Sequence, residues 1–289
     1  MLPINIDKIP PISPLVHDLL SMSLDDADAE RRLLKISASE PQVSIRLVAI
    51  ANSVAYRRSG PELTDTMQAI RRIGLARTRQ LAIGLLFGHP LSRQLPPGLA
   101  EDVWLHSLAM AAAAQEIAHV KRHPDPATAY LAGLVHDLGY LVEEMAAPGS
   151  IARTVASALN DDLAPEQAEE RLTGTTHARL AADLLTHWRA PAAIVEALAD
   201  HHRDDIDPDS LAAVVFGAEK LARFVEVTDV LYAGREHPFA PLSLDRLGLE
   251  FLFEQQLDLS GDEVSGLAGR IVAQVGHFQS AARAMGGAH

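Results

Sequence analysis

Apolar residues recur in this chain at three- and four-residue spacing almost from end to end, and that recurrence constrains the fold more than any single motif does. Val43, Leu47, Ile50 and Ala51 fall at i, i+4, i+7 and i+8, which gathers them on one helix face. Val103, His106, Met110, Ala113, Ile117 and Val120 form a longer stripe of the same kind, and Val264, Leu267, Ile271, Val275 and Phe278 form another near the end. The alternation expected of a half-buried strand never persists, and aromatic residues make up only 4% of the chain. The pattern predicts an all-α fold.

Proline and glycine divide the helical text. The stretch GHPLSRQLPPGLA, Gly88 to Ala100, holds three prolines and two glycines. Proline fixes φ and removes a backbone donor, so no helix is expected to run through it. It separates an N-terminal helical subdomain, 9–95, from a C-terminal one, 96–225. A second break, AGREHPFAPLS from Ala233 to Ser243, precedes a closing stretch, so residues 226–289 are expected to form a C-terminal helical extension.

Composition excludes several classes. With 48% apolar and 22% charged residues the chain is of ordinary globular composition, and the absence of cysteine removes disulfides and thiolate metal sites. The start MLPINIDKIPPISP has neither the basic end nor the apolar run of a secretory signal, and no segment reaches the roughly 18 apolar residues of a membrane span. The expectation is a cytoplasmic protein with no membrane partner. A net charge of −13 repels polyanions and argues against general nucleic-acid binding. Charge is uneven, however: Val43 to Ala100 carries eight arginines against Glu62 and Asp65, a local excess of six. Within it Arg57, Arg58, Arg71 and Arg72 are candidates for docking an acidic protein partner or a nucleotide, the plain alternative being solvated helix faces.

Histidine placement carries the chemistry. Eight of the thirteen histidines lie between His106 and His202. His106 falls within an apolar stripe; His136 shares a face with Ala129, Ala132 and Gly133; His177 shares one with Leu180, Leu184 and Trp188. His201 and His202 close the helix APAAIVEALADHH, and Glu219 shares a face with Ala212, Val215 and Ala222. Burying such groups singly costs a few kcal/mol each, so several that converge must satisfy one another or hold a metal. Imidazole nitrogen with carboxylate oxygen suits iron, manganese, zinc or nickel, as one or two ions. The metal-ligand candidates are His106, His136, Asp137, His177, His201, His202 and Glu219. The pentapeptide LVHDL occurs twice, at Leu15 to Leu19 and at Leu134 to Leu138. No other histidine lies within seventy residues of the first copy, so His17 and Asp18 are expected to face water or cap a neighbour.

The ordered set His106, His136-Asp137 in AGLVHDLG and the late acid in GAEKLAR resembles the HD superfamily of metal-dependent phosphohydrolases, whose ligands run His, His-Asp, Asp on an all-α bundle. Glu219 stands where that family has aspartate. With His177, His201 and His202 the set also resembles the binuclear HD-GYP branch, which hydrolyses cyclic di-GMP. Two departures stand out. Tyr140 occupies the place of the family's catalytic lysine, and HHRDDIDPDS lacks the Gly-Tyr-Pro signature.

The N-terminal half adds PPISPLVHDLLSM, EPQVSIRLVAIANSVAYRRSG and MQAIRRIGLARTRQLAIGLL, in an order and spacing similar to those of the HDOD family. That resemblance covers 9–225 and implies an HDOD fold with an N-terminal helical subdomain packed on an HD-like bundle. It also implies a bacterial signal-transduction protein that acts through a protein partner or by sensing a ligand, without efficient catalysis. The alternative is a metal-dependent phosphohydrolase acting on a nucleotide or a cyclic dinucleotide such as cyclic di-GMP, with Asp137 as the catalytic residue.

Overall fold

The computed structural model of the chain describes residues 9, 13–20, 22–57, 61–92, 97–123, 125–203, 205–225, 227 and 246–286. All regular secondary structure among them is helical. No helix among them is long and apolar enough to cross a membrane. The chain divides into two units, one of residues 10–101 and 276–289, the other of residues 1–9 and 102–275.

The smaller unit contains α1(Leu15–Leu20), α2(Ala29–Ser39), α3(Pro41–Asn52), α4(Thr66–Ile73) and α5(Leu75–Ser92). Local chemistry sets their ends. Pro41 opens α3, where its fixed φ suits a first turn and its missing N–H costs nothing. Asp65 caps α4 by accepting from Gln68 N at 2.8 Å, and Gly74, at φ 92°, closes it. The predicted stripe Val43, Leu47, Ile50 and Ala51 is buried. Asn52 clasps the following loop, donating from Nδ2 to Leu63 O at 2.7 Å and accepting from Leu63 N at 2.9 Å. Arg72 Nη1 then donates to Ala51 O at 3.2 Å and Asn52 Oδ1 at 3.3 Å, which ties the IANS and AIRRIGL segments together.

No described helix runs through the whole stretch Gly88 to Ala100, although helices enter it from both sides. Helix α5 continues through Pro90 to Ser92, and α6(Pro97–Val120) begins at Pro97. Pro97 stands at a first turn, which favours proline, whereas Pro90 lies in the last turn of α5, where it removes a backbone donor close to the point at which the helix ends. Residues 93–96 and the second break, Ala233 to Ser243, lie outside the described residues.

The larger unit takes α6 from residue 102, then α7(Pro126–Val135), α8(Leu138–Ala146), α9(Ser150–Asp161), α10(Pro165–Thr173), α11(His177–His187), α12(Ala192–Asp200), α13(Leu211–Phe224), α14(Arg246–Leu257) and α15(Gly261–Gly286) up to residue 275. Helix α11 packs on α8 and α12, and α13 packs on α7, α12 and α14. Two glycines permit backbone-to-backbone approach. A Cβ on Gly133 would lie 2.6 Å from Met110 O, and one on Gly139 would lie 2.0 Å from His177 O. No L side chain fits either gap, so α7 reaches α6, and α8 reaches the start of α11, only because glycine is there.

Candidate metal centre

His136 and Asp137 do not lie inside a helix. Helix α7 ends at Val135 and α8 begins at Leu138, so the pair forms the turn between them. His136 Nδ1 lies 2.9 Å from Gly133 O. A carbonyl only accepts, so Nδ1 carries a proton and Nε2 is the nitrogen turned toward His106 and Asp137. His106, on α6, brings its Nε2 to 3.2 Å from His136 Nε2 and 3.3 Å from Asp137 Oδ2. Asp137 Oδ1 lies 3.2 Å from His136 Nε2.

A second group faces the first. His177 is the opening residue of α11, His201 caps the end of α12, and His202 follows it. His201 Nδ1 donates to Leu198 O at 2.7 Å, which leaves Nε2 bare. His177 Nε2 is 3.0 Å from His202 Nε2 and 3.8 Å from Asp137 Oδ1. Asp137 thus turns one oxygen toward His106 and the other toward His136 and His177. On the far side of the His177 ring, Nδ1 lies 2.9 Å from both oxygens of Glu169, and Glu169 Oε2 also accepts from His177 N at 2.7 Å. Tyr140 stacks on the same ring, with centroids 4.1 Å apart and planes at 20°.

Charge follows this geometry. Burial opposes ionisation of Asp137, but His136 and His106 hold its carboxyl well below the usual carboxylate range. Burial would lower His177, yet Glu169, with Asp137 and Glu166, raises it to about 10. His201 is held well below its ordinary value by burial and by the neighbouring His202, His177 and His136. Burial lowers His202 to about 4, helped by His177 and Lys220 and opposed by Glu219.

The ligand-capable atoms of His106, His136 and Asp137 lie within 4.8 Å of one another, as do those of His177, His201 and His202. The residues fit a divalent ion on two counts. His201 Nε2 is buried and has no hydrogen-bond partner among the described residues, an expense that a cation would remove. Nε2 atoms also crowd to about 3 Å, His106 on His136 and His177 on His202, while Nδ1 of His136, His177 and His201 is bonded on the far side, the arrangement in which ring lone pairs converge on a metal. The HDOD domain family model matches residues 9–204.

The chain belongs to the HDOD family. An HDOD domain protein of unknown function from Geobacter sulfurreducens superposes on it with TM-score 0.71 at 22% identity, over 96% of this chain and 94% of the other. A candidate phosphohydrolase from Shewanella amazonensis SB2B gives 0.68 at 19% identity, over 97% and 96%. A candidate signal transduction protein from Marinobacter aquaeolei VT8 gives 0.65 at 24% identity, over 91% of this chain and 60% of the other. Comparison with curated protein sequences gave no match. At these identities the likeness is one of fold, and it agrees with an all-α HDOD architecture.

Other sequence candidates fall in varied places in this HDOD chain. Glu219, on α13, sends Oε1 to Arg223 Nη2 at 2.8 Å and to Lys220 Nζ at 3.4 Å, and Oε2 to His202 Nδ1 at 3.7 Å. Burial opposes its charge, but Lys220, His202 and Arg223 keep it well below the usual range. Of the arginines, Arg57 is exposed, Arg71 Nε pairs with Glu30 Oε1 at 2.6 Å, Arg72 bonds within the smaller unit, and Arg58 lies outside the described residues. His17 and Asp18 of the first LVHDL are exposed. The histidines outside the candidate set follow suit: His119 and His187 are exposed and His123 is half-buried, while His237 lies outside the described residues.

Sequence reasoning missed the carboxylates behind the rings. Glu169 is fully buried, and Glu166 Oε1 lies 3.4 Å from His202 Nδ1. Both sit on α10, whose PEQAEERLT reads as a solvated surface helix. The available signal was their position just upstream of the TTHAR helix start, where an anion meets free backbone N–H groups.

Proposed function

We propose that this HDOD protein is a signalling regulator whose larger unit holds divalent metal at His106, His136, Asp137, His177, His201 and His202, with Glu219 positioning His202 and able to enter the ligand set. It acts through a protein partner or a sensed ligand, without efficient turnover. The observation that carries this is the pairing of a full donor set with Tyr140. That phenol, 2% exposed and flat against the His177 ring, stands where HD hydrolases have lysine, and a neutral phenol brings no positive charge to a phosphoryl group. The cleft beside these ligands is lined by polar groups, Asp137, Glu166, His202 and Arg223 together with Tyr140, and it suits ions and a phosphate-sized anion.

A second reading, metal-dependent phosphohydrolase, draws support from Asp137, whose two oxygens face both ligand groups. Metal bound there would polarise a phosphoryl oxygen or activate water. Arg223, at the cleft edge, would orient an anionic group.

Purification without chelator, metal analysis, and assays on a generic phosphodiester and on cyclic di-GMP with manganese or iron separate the two readings. Bound metal with no turnover is expected. Turnover abolished by Asp137→Ala would overturn the regulatory reading in favour of the hydrolase.

A further inference from the structure

The two ligand groups differ in charge. One has a carboxylate of its own, Asp137, whereas His177, His201 and His202 supply only imidazole nitrogen. An ion held by three neutral rings in a buried place needs a counter-charge nearby. The other acids near these rings are shared or looser: Glu219 is held by Arg223 at 2.8 Å, Glu166 stands 3.4 Å from His202 Nδ1, and Asp137 Oδ1, which also serves the other group, stands 3.8 Å from His177 Nε2. His201 is backed by a neutral carbonyl, Leu198 O. Glu169 is different. It is 0% exposed, places both oxygens 2.9 Å from His177 Nδ1, and is anchored at 2.7 Å by the main-chain N–H that opens α11. A carboxylate bonded to the outer nitrogen of a ligand ring fixes its orientation and raises the basicity of the inner one.

Building on the metal-holding reading above, we propose that Glu169 is the positioning residue that makes His177, His201 and His202 a separate subsite for late first-row divalent ions of the cobalt, nickel and zinc class. Imidazole ligands favour those ions, while carboxylate and water favour magnesium and manganese, so the two groups differ in selectivity as well as in charge.

Cobalt(II) is the probe, because its visible spectrum reports the ligands directly and needs no activity. His106→Ala in the full chain isolates the three-histidine subsite, and His201→Ala isolates the other. His106→Ala is expected to bind one cobalt with a nitrogen-ligand spectrum that excess magnesium does not displace. Adding Glu169→Gln is expected to weaken that binding by about 10–100-fold and to alter the spectrum, with helix content by circular dichroism unchanged. Glu169→Asp keeps the charge and is expected to recover most of the affinity. Unchanged affinity and spectrum in Glu169→Gln, or equal losses in Gln and Asp, would overturn the proposal. Should Glu169→Gln not fold, displacement of cobalt by magnesium from His106→Ala overturns it alone. Cobalt bound by His201→Ala but not by His106→Ala defeats this inference and leaves metal holding intact, whereas no cobalt bound by the unaltered chain defeats both.

Discussion

Glu143 makes a quantitative prediction. It lies on α8, is 1% exposed, and neither carboxylate oxygen has a hydrogen-bond partner among the described residues. Burial, reinforced by Glu169 and Glu144 and opposed by His177, raises it from 4.5 to about 7. The folded protein therefore keeps a proton that the unfolded chain loses as pH climbs past 4.5, so stability falls with rising pH until Glu143 itself ionises near 7. At about 1.4 kcal/mol per pH unit the total loss is about 3 kcal/mol. Glu143→Gln preserves shape and cannot titrate. Urea denaturation of both proteins with chelator present, at intervals from pH 5 to pH 8, gives the difference in stability at each pH. Part of that loss is complete by pH 5, so the difference is expected to move in favour of the variant by about 2.5 kcal/mol across the range. The constant cost of burying an amide shifts the whole curve and leaves its slope alone. A flat difference, or one that moves the other way, would refute the reasoning.

Gly139→Ala forces a methyl into the 2.0 Å gap at His177 O and is expected to cost about 1–3 kcal/mol and to reduce bound metal; an unchanged melting temperature would count against the backbone contact. Arg72→Ala loses its bonds to Ala51 O and Asn52 Oδ1 and should cost about 1.5–3 kcal/mol, whereas exposed Arg71→Ala should cost about 1 kcal/mol or less; equal costs by thermal melting would contradict this. Saturating metal at a hundred times its dissociation constant should stabilise the fold by about 2.7 kcal/mol per ion, an effect reduced in Asp137→Ala and preserved in His17→Ala; a rise of the same size in all three proteins would place the ion elsewhere.

The fold was legible because helical periodicity is a local property: the stripe through Val43, Leu47 and Ile50 is buried as its spacing requires. The inward placement of the candidate ligands was legible for the same reason: His106 lies in such a stripe and is buried, as is His201 at the end of its helix. What escaped was partnership across turns. Glu169 meets His177 around a loop of Gly174 and two threonines, and nothing in the periodicity of α10 marks that acid as buried. The break within Gly88 to Ala100 was legible from its prolines, but not its bounds, because Pro90 lies inside the last turn of α5 and Pro97 at the first turn of α6. Arg72 looked like part of a surface charge run, yet it bonds to the end of α3, a contact visible only when Ala51 and Asn52 come close in space.

The contact between Gly139 and His177 has a further consequence. With backbone pressed on backbone, α8 and the opening of α11 have no slack, so Asp137 and His177 cannot adjust their separation independently. For a metal held as proposed, the 3.8 Å between Asp137 Oδ1 and His177 Nε2 would thus be a spacing set by the main chain rather than by side-chain rotamers, and residue 139 is the place from which it could be altered without touching a ligand.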